Sequence, residues 1–224
     1  MTLNSYIDEV KIILRENKDE SFLDDRLLER MINAQRVLFI KNEINNNKTV
    51  QDSIIQTLSN LKLSPIKVYD QEGGSFIYLK TDSKIPKPVN YKERLGIESV
   101  EIDRLIGSYL TPTREDMIKY TGSLKHNGKD IYYFYKDNYI YIKVPKANFK
   151  ASLITHLNIR AVFETPTLLA NYADKEGYAQ YDKYNGDYPI NDALWEYMLG
   201  AIVEKLGLTL RIPETLENDQ RNTK

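Results

Sequence analysis

Apolar residues in the first part of the chain recur at helical spacing. Over residues 3–16 they fall at Leu3, Tyr6, Ile7, Val10, Ile13 and Leu14, the i, i+3, i+4, i+7 pattern of a single helix face. The polar run Asn17-Lys18-Asp19-Glu20-Ser21 ends that helix. A second helix is expected over 23–45, with Leu27, Leu28, Met31, Ile32, Gln35, Leu38 and Phe39 on one side. Asp24 and Asp25 stand in its first turn, where carboxylates favour the positive end of the helix dipole. The short connection makes the two helices an antiparallel pair. Neither hides its apolar stripe alone, so the pair must pack on something further. Asn45-Asn46-Asn47-Lys48 breaks the pattern, and Ile54, Ile55, Leu58 and Leu61 predict a short third helix within 50–61.

From Leu63 the pattern turns to strand, over 64–70 and 76–79, with Gly73-Gly74 between them as a hairpin or loop. Pro86 and Pro88 mark an extended crossing, and residues 97–106 read as a strand. Thr113-Arg114-Glu115-Asp116 has the form of a capping box opening a short helix to about Tyr120. The strongest local signal is a hairpin. Residues 131–136 and 139–144 flank Asp137-Asn138, both tolerant of positive φ, and Ile140, Ile142 and Val144 alternate with Tyr139, Tyr141 and Lys143. A third strand follows at 152–163, ended by Pro166. Residues 172–188 form a tyrosine-rich loop. The last helix spans 191–206, with Asn191 as N-cap, Ile190 and Trp195 at the staple positions and Gly207 placed to stop it.

These elements predict an α+β fold: an N-terminal helical hairpin, a central mainly antiparallel β subdomain, and a C-terminal helix with an extended polar tail. The expected divisions are a helical region at 1–62 and a mainly β region at 63–170. The tyrosine-rich loop and last helix occupy 171–211 and pack back on the helical region. A C-terminal arm takes up 212–224.

Composition narrows the chemistry. A chain of 224 residues can bury about 70% of its extended surface, so it needs no staples. With 31 basic and 32 acidic residues the net charge is −1, which gives no bulk drive toward nucleic acid or an anionic membrane. The absence of cysteine removes disulfides, thiolate zinc sites, iron–sulfur clusters and thiol nucleophiles. Met1 to Tyr6 lack the basic and apolar regions of a signal peptide, and no apolar run approaches the ~20 residues of a membrane span. A soluble protein made in the cytoplasm is therefore expected.

Each chemical candidate has a plainer explanation. Gly73-Gly74 is a turn, and no GxxxxGK[ST] or GxGxxG is present. Of the two histidines, His126 lies in a turn composition and His156 near a strand, without HxxxH or HExxH spacing. Asp24 with Asp25, and Glu98 with Glu101 and Asp103, are read as helix-end and solvated-face carboxylates. Ser53 and Ser59 lack a nucleophile elbow. No catalytic, cofactor or metal site is expected. There are 17 tyrosines against six phenylalanines and one tryptophan, and they concentrate in 132–141 and 172–188. Such a hairpin can stack bases in a single-strand binder, although arginine is absent from 115–159. It can equally form a subunit interface, where tyrosine supplies rigid area with a polar end.

The pattern as a whole resembles a known family. The residues that carry the likeness are Leu27-Leu28-Glu29-Arg30-Met31-Ile32-Asn33-Ala34-Gln35-Arg36, Lys84-Ile85-Pro86-Lys87-Pro88-Val89 and the strands within 132–143. Ile159-Arg160-Ala161-Val162-Phe163-Glu164-Thr165-Pro166, Tyr188-Pro189-Ile190, Ile212-Pro213-Glu214 and Asn218-Asp219 extend it. Together they resemble the ring (head-to-tail connector or adaptor) structural proteins of crAss-like and related tailed phages, departing from them at Thr215, where that family carries Asp. The resemblance implies a non-enzymatic virion protein without cofactors, assembled in the host cytoplasm into a homo-oligomeric ring of about twelve copies. Its implied partners are the portal protein, neighbouring ring or tail proteins, and genomic DNA passing through a channel without sequence-specific binding; no membrane is involved. Subunit contacts are expected at Tyr132, Tyr139, Tyr141, Tyr178, Tyr181, Tyr184, Ile212, Pro213 and Leu216. The alternatives are another tail-hub or capsid-associated virion protein, and a nucleic-acid-binding module using the Tyr/Lys hairpin.

Overall fold

A computed structural model describes residues 1–17, 24–46, 51–66, 76–91, 94–102, 109–118, 130–145 and 154–209. Leu3, Tyr6, Ile7, Val10 and Leu14 are all buried on one face of helix α1 (Leu3–Asn17). Helix α2 (Asp25–Asn45) turns Leu28, Ile32, Asn33, Arg36 and Ile40 inward, and Asp24 caps it by accepting from the Arg26 amide at 3.1 Å. Lys11 pairs with Asp25, joining the two helices at one end.

Helix α3 (Asp192–Thr209) completes the helical layer by packing on both α1 and α2. Asn191 is its N-cap, accepting from the Leu194 amide at 2.6 Å, and the staple residues Ile190 and Trp195 are both buried. The Trp195 indole lies 4.2 Å from the Tyr6 ring and donates to Glu9 at 2.9 Å. Gly207 does not stop the helix, which continues to Thr209. A helical glycine costs only about 1 kcal/mol and leaves the hydrogen-bond ladder intact.

The rest of the fold is one curled seven-stranded sheet. Its strands are β1 (Gln56–Pro65), β2 (Phe76–Thr81), β5 (Ile97–Ile102), β6 (Thr111–Pro112), β7 (Tyr132–Lys136), β8 (Tyr139–Pro145) and β9 (His156–Ala161). A small separate ribbon pairs β3 (Asn90–Tyr91) with β4 (Arg94–Leu95). The sheet order is β5-β9-β1-β2-β8-β7-β6. All neighbours are antiparallel except β6 and β7. The α+β class and the predicted hairpin are both present: Asp137 and Asn138 have φ of 52° and 65°, as a two-residue type I′ turn requires.

Three local expectations are corrected. The helix expected within 50–61 does not form over the described residues 51–61: a single 3-10 turn, Asp52–Ile54, leads into β1. The helix-like spacing comes from a β-bulge. The register with β9 shifts between Leu58 and Leu61, and Asn60 sits at φ 57°. One extra residue thus brings Leu58 and Leu61, three apart, to the same buried face. Over the described residues to Ile118 the capping box at Thr113 opens a turn, with Met117 and Ile118 amides donating to Arg114 and Glu115 carbonyls. The strand expected over 152–163 is confined to His156–Ala161 within 154–163. Gly73-Gly74, His126, Asp103 and the 212–224 arm lie outside the described residues.

Two cores result. The concave side of the sheet encloses Leu58, Leu79, Val100, Ile140, Ile142, Leu157 and Ile159. The helical layer encloses Leu3, Tyr6, Val10, Leu28, Ile32, Trp195, Met198 and Ile202. They meet just after β9, where Val162 enters the helical core and Phe163 the sheet core.

Candidate assembly surfaces

At that junction Arg36 is completely buried. Its Nε donates to the Pro189 carbonyl at 2.7 Å, Nη1 to Phe163 at 2.8 Å and Nη2 to Ile54 at 3.3 Å. The charge also lies 5.7 Å from the centre of the Tyr188 ring, and Tyr188 in turn donates to Asn33 at 2.8 Å. Burial lowers the Arg36 pKa from its usual value, but three carbonyl dipoles satisfy the fork. Periodicity placed Arg36 outside the apolar stripe of α2, so no signal in the sequence singled it out.

The candidate catalytic side chains are dispersed. Asp24 caps α2, and Asp25 pairs with Lys11. Glu98 pairs with Arg160 at 3.4 Å, whereas Glu101 accepts from Ser99 at 3.3 Å. His156 Nδ1 is 3.0 Å from the Thr155 hydroxyl, and Ser59 donates to Gln180 at 3.2 Å. Among the described residues no three His, Cys, Asp or Glu side chains gather as a metal site.

The outer face of the hairpin carries a ladder of aromatic and cationic groups. Phe134 and Tyr141 stack at 4.7 Å and 9°. Lys80 stands 3.6 Å above the Tyr139 ring and 5.6 Å from Tyr141. Lys143 is buried; it donates to the Ile118 carbonyl at 2.7 Å and sits 4.0 Å from the Phe76 ring. The 115–118 turn therefore covers part of this face. Tyr132 lies beneath it, in a small cluster with Tyr78, Ile118 and Phe134. Tyr139 and Tyr141 remain half-exposed.

The tyrosine-rich loop divides in the same way. Tyr181 and Tyr188 are buried, whereas Tyr178 and Tyr184 are 68% and 71% exposed. Two Asx turns hold the exposed pair. Asp174 accepts from the Glu176 and Tyr178 amides, and Asp182 from the Tyr184 and Asn185 amides. The bonds from Asn185 and Tyr184 keep the Asp182 carboxyl below its ordinary pKa. Gln180 fastens the loop to the β1 bulge, donating to Ser59 at 2.8 Å and accepting from its amide at 2.6 Å.

Two concavities border elements already described. A cleft of about 910 Å³ opens where the curled sheet nearly closes on itself, between Ile97–Ser99 of β5 and Tyr133–Tyr135 of β7. Tyr109, Leu110, Pro112 and Thr113 also line it and bridge the two strands, with the Leu110 amide on Val100 at 2.9 Å and the Thr113 amide on Tyr133 at 2.8 Å. The second is a groove of about 730 Å³ along the outer side of α2. Leu27, Met31, Ala34 and Leu38 line it at spacings of three and four, so α2 carries a second apolar stripe beside its buried one. Leu27 is 44% and Leu38 53% exposed.

Of the expected contact residues, the structure thus places Tyr178 and Tyr184 on the surface, Tyr139 and Tyr141 at its margin, and Tyr132 and Tyr181 inside the protomer. The outer stripe of α2 is present in the sequence pattern, merged there with the buried one as a single face. No helix among the described residues is long and apolar enough to cross a membrane. A family model described as phage tail ring protein 2 matches residues 5–224 of the chain. No curated protein matches it.

Proposed function

The chain belongs to the phage tail ring protein 2 family, and from that premise we propose that it is a non-enzymatic subunit of a homo-oligomeric ring in the portal–tail connector. In this reading about twelve copies close the ring, extend the DNA channel and join head to tail, with the portal and adjacent ring or tail proteins as neighbours. The observation that carries it is the family match over nearly the whole length. The surface agrees with it. A closed ring needs heterologous contacts, one face of each subunit meeting a different face of the next. Apolar side chains are exposed on separate elements: Leu27 and Leu38 on α2, Tyr197 on α3, and Tyr178 and Tyr184 on the loop. Tyr139, Tyr141, Ile212, Pro213 and Leu216 belong to the proposed contacts as well.

Base stacking on the hairpin finds less support. Tyr132 and Phe134 are buried and Lys80 already occupies the Tyr139 ring face, so few open rings remain. The test is negative-stain electron microscopy or native mass spectrometry of the purified chain with and without portal protein. The expected result is closed rings of one stoichiometry that dock on the portal. A chain that stays monomeric and never joins a portal assembly overturns the reading, and retention on single-stranded DNA that falls steeply with salt favours the nucleic-acid module instead.

A further inference from the structure

The outer groove of α2 is an apolar surface with no cover among the described residues, and the end of the described chain lies beside it. Lys205 of α3 forms part of the groove's wall. Helix α3 ends four residues later at Thr209, about 6 Å along the axis, so the described chain ends within a short distance of the groove. The following segment, residues 210–224, carries Leu210, Ile212 and Leu216 as separated apolar residues among polar ones. Fully extended, at about 3.3 Å per residue, it reaches about 50 Å, enough to span a neighbouring subunit of this size.

Charge adds a second argument. Two acidic side chains at the groove are already engaged: Glu29 by Thr167 at 3.0 Å and Lys183 at 3.6 Å, and Glu164 by Lys87 at 3.1 Å. Arg30, also in the wall, has no carboxylate partner among the described residues. The segment brings Glu214, Glu217 and Asp219 immediately around Leu216. An apolar anchor flanked by carboxylates complements an apolar stripe flanked by arginine.

We infer that the α2 groove, formed by Leu27, Met31, Ala34 and Leu38 with Arg30 at its edge, receives residues 210–224 of the adjacent copy in the ring. This rests on the ring reading and names the site that holds neighbouring subunits together. Each subunit then offers a tail on one side and a groove on the other, the head-to-tail arrangement that closes a ring. Burying the segment's apolar residues against the stripe favours the contact.

Cross-linking tests it cleanly, because the chain has no cysteine of its own. Leu38→Cys is combined with Ile212→Cys or with Leu216→Cys, rings are assembled, and the product is oxidised. A disulfide forms only where the Cα atoms approach to about 4.4–6.8 Å. The expected result is a ladder of covalent oligomers on a denaturing gel, from dimer upward, that collapses with reductant and is absent from each single variant. The companion variant Leu27→Ser with Leu38→Ser alters exposed positions only. It should keep the monomer's thermal midpoint while weakening assembly by about tenfold or more. Intact rings with no ladder, or a cross-link confined to the monomer band, overturn the docking while leaving the ring reading in place. A wild-type chain that forms no ring overturns both.

Discussion

The guanidinium of Arg36, at the middle of α2, lies 2.8 Å from the carbonyl oxygen of Phe163, two residues beyond the last residue of β9. That contact ties the helical layer to the sheet, because Phe163 is packed in the sheet core and its neighbour Val162 in the helical one. The same fork holds Ile54 before β1 and Pro189 before α3. A rigid link of this kind matters for a ring subunit. If the helices and the sheet carry different subunit contacts, their relative placement sets the angle between neighbours and hence whether the ring closes.

Replacing Arg36 with methionine keeps the bulk and removes all three donors. The buried carbonyls of Ile54, Phe163 and Pro189 then lose their partner, and the expected loss of stability is about 3 kcal/mol or more. Urea unfolding measures it as a lower midpoint at unchanged slope. Arg36→Lys should recover only part, since an ammonium lacks the planar fork. A methionine variant as stable as the parent contradicts the role given to this residue.

Asn60 is the pivot of the β1 bulge, at φ 57°. Its side chain donates to the Asp174 carbonyl at 3.2 Å, and its amide to Asn158 Oδ1 at 3.0 Å. Asn60→Val puts a β-branched residue in the left-handed region and should cost about 1–2 kcal/mol. Asn60→Gly should cost less than Asn60→Val, because glycine adopts that conformation freely. Thermal denaturation of the two variants gives the order.

The bulge also explains what the sequence did and did not reveal. The amphipathic stripes of α1 and α3, the Asn191 cap, the Ile190–Trp195 staple and the Asp137-Asn138 hairpin were all legible, because each depends on residues close together in the chain. The β1 strand was not, since its bulge replaced alternation with the spacing of a helix. Arg36 carries no local mark for a related reason: its partners at 54, 163 and 189 are remote in sequence, and nothing nearby sets it apart from Arg26 and Arg30 of the same helix. The tyrosines were located as two clusters, but composition gave no means of telling Tyr132 and Tyr181, which turn inward, from Tyr178 and Tyr184, which face out. On α2, one apolar pattern conceals two stripes, which the packing of the neighbouring elements separates.

Gly200 lies within α3, where an added methyl group meets no atom within 4 Å. Gly200→Ala removes the entropic cost of a helical glycine without a clash, so stability should rise by about 0.5–1 kcal/mol. A higher midpoint in thermal or urea unfolding checks it, and an unchanged or lower one contradicts the exposed placement of this helix face.

Burial pushes the Tyr133 and Tyr181 hydroxyls up to about 12 and raises that of Tyr188, all from an ordinary value of 10.0. The fold therefore favours their neutral forms more than the unfolded chain does. The resulting stabilisation is fully present below pH 10 and is lost as the pH rises through about 12. In an alkaline titration, tyrosinate absorbance from these side chains should appear together with the loss of near-ultraviolet circular dichroism. Complete tyrosine ionisation near 10 with the dichroism intact would contradict their burial.

A closed ring built by heterologous contacts between identical subunits is what we propose for this protein. Native mass spectrometry of the purified chain, alone and with portal protein, decides it. One dominant closed oligomer of about twelve copies that binds the portal as a unit is expected. A monomer or a symmetric dimer at every concentration, with no portal-bound species, contradicts it.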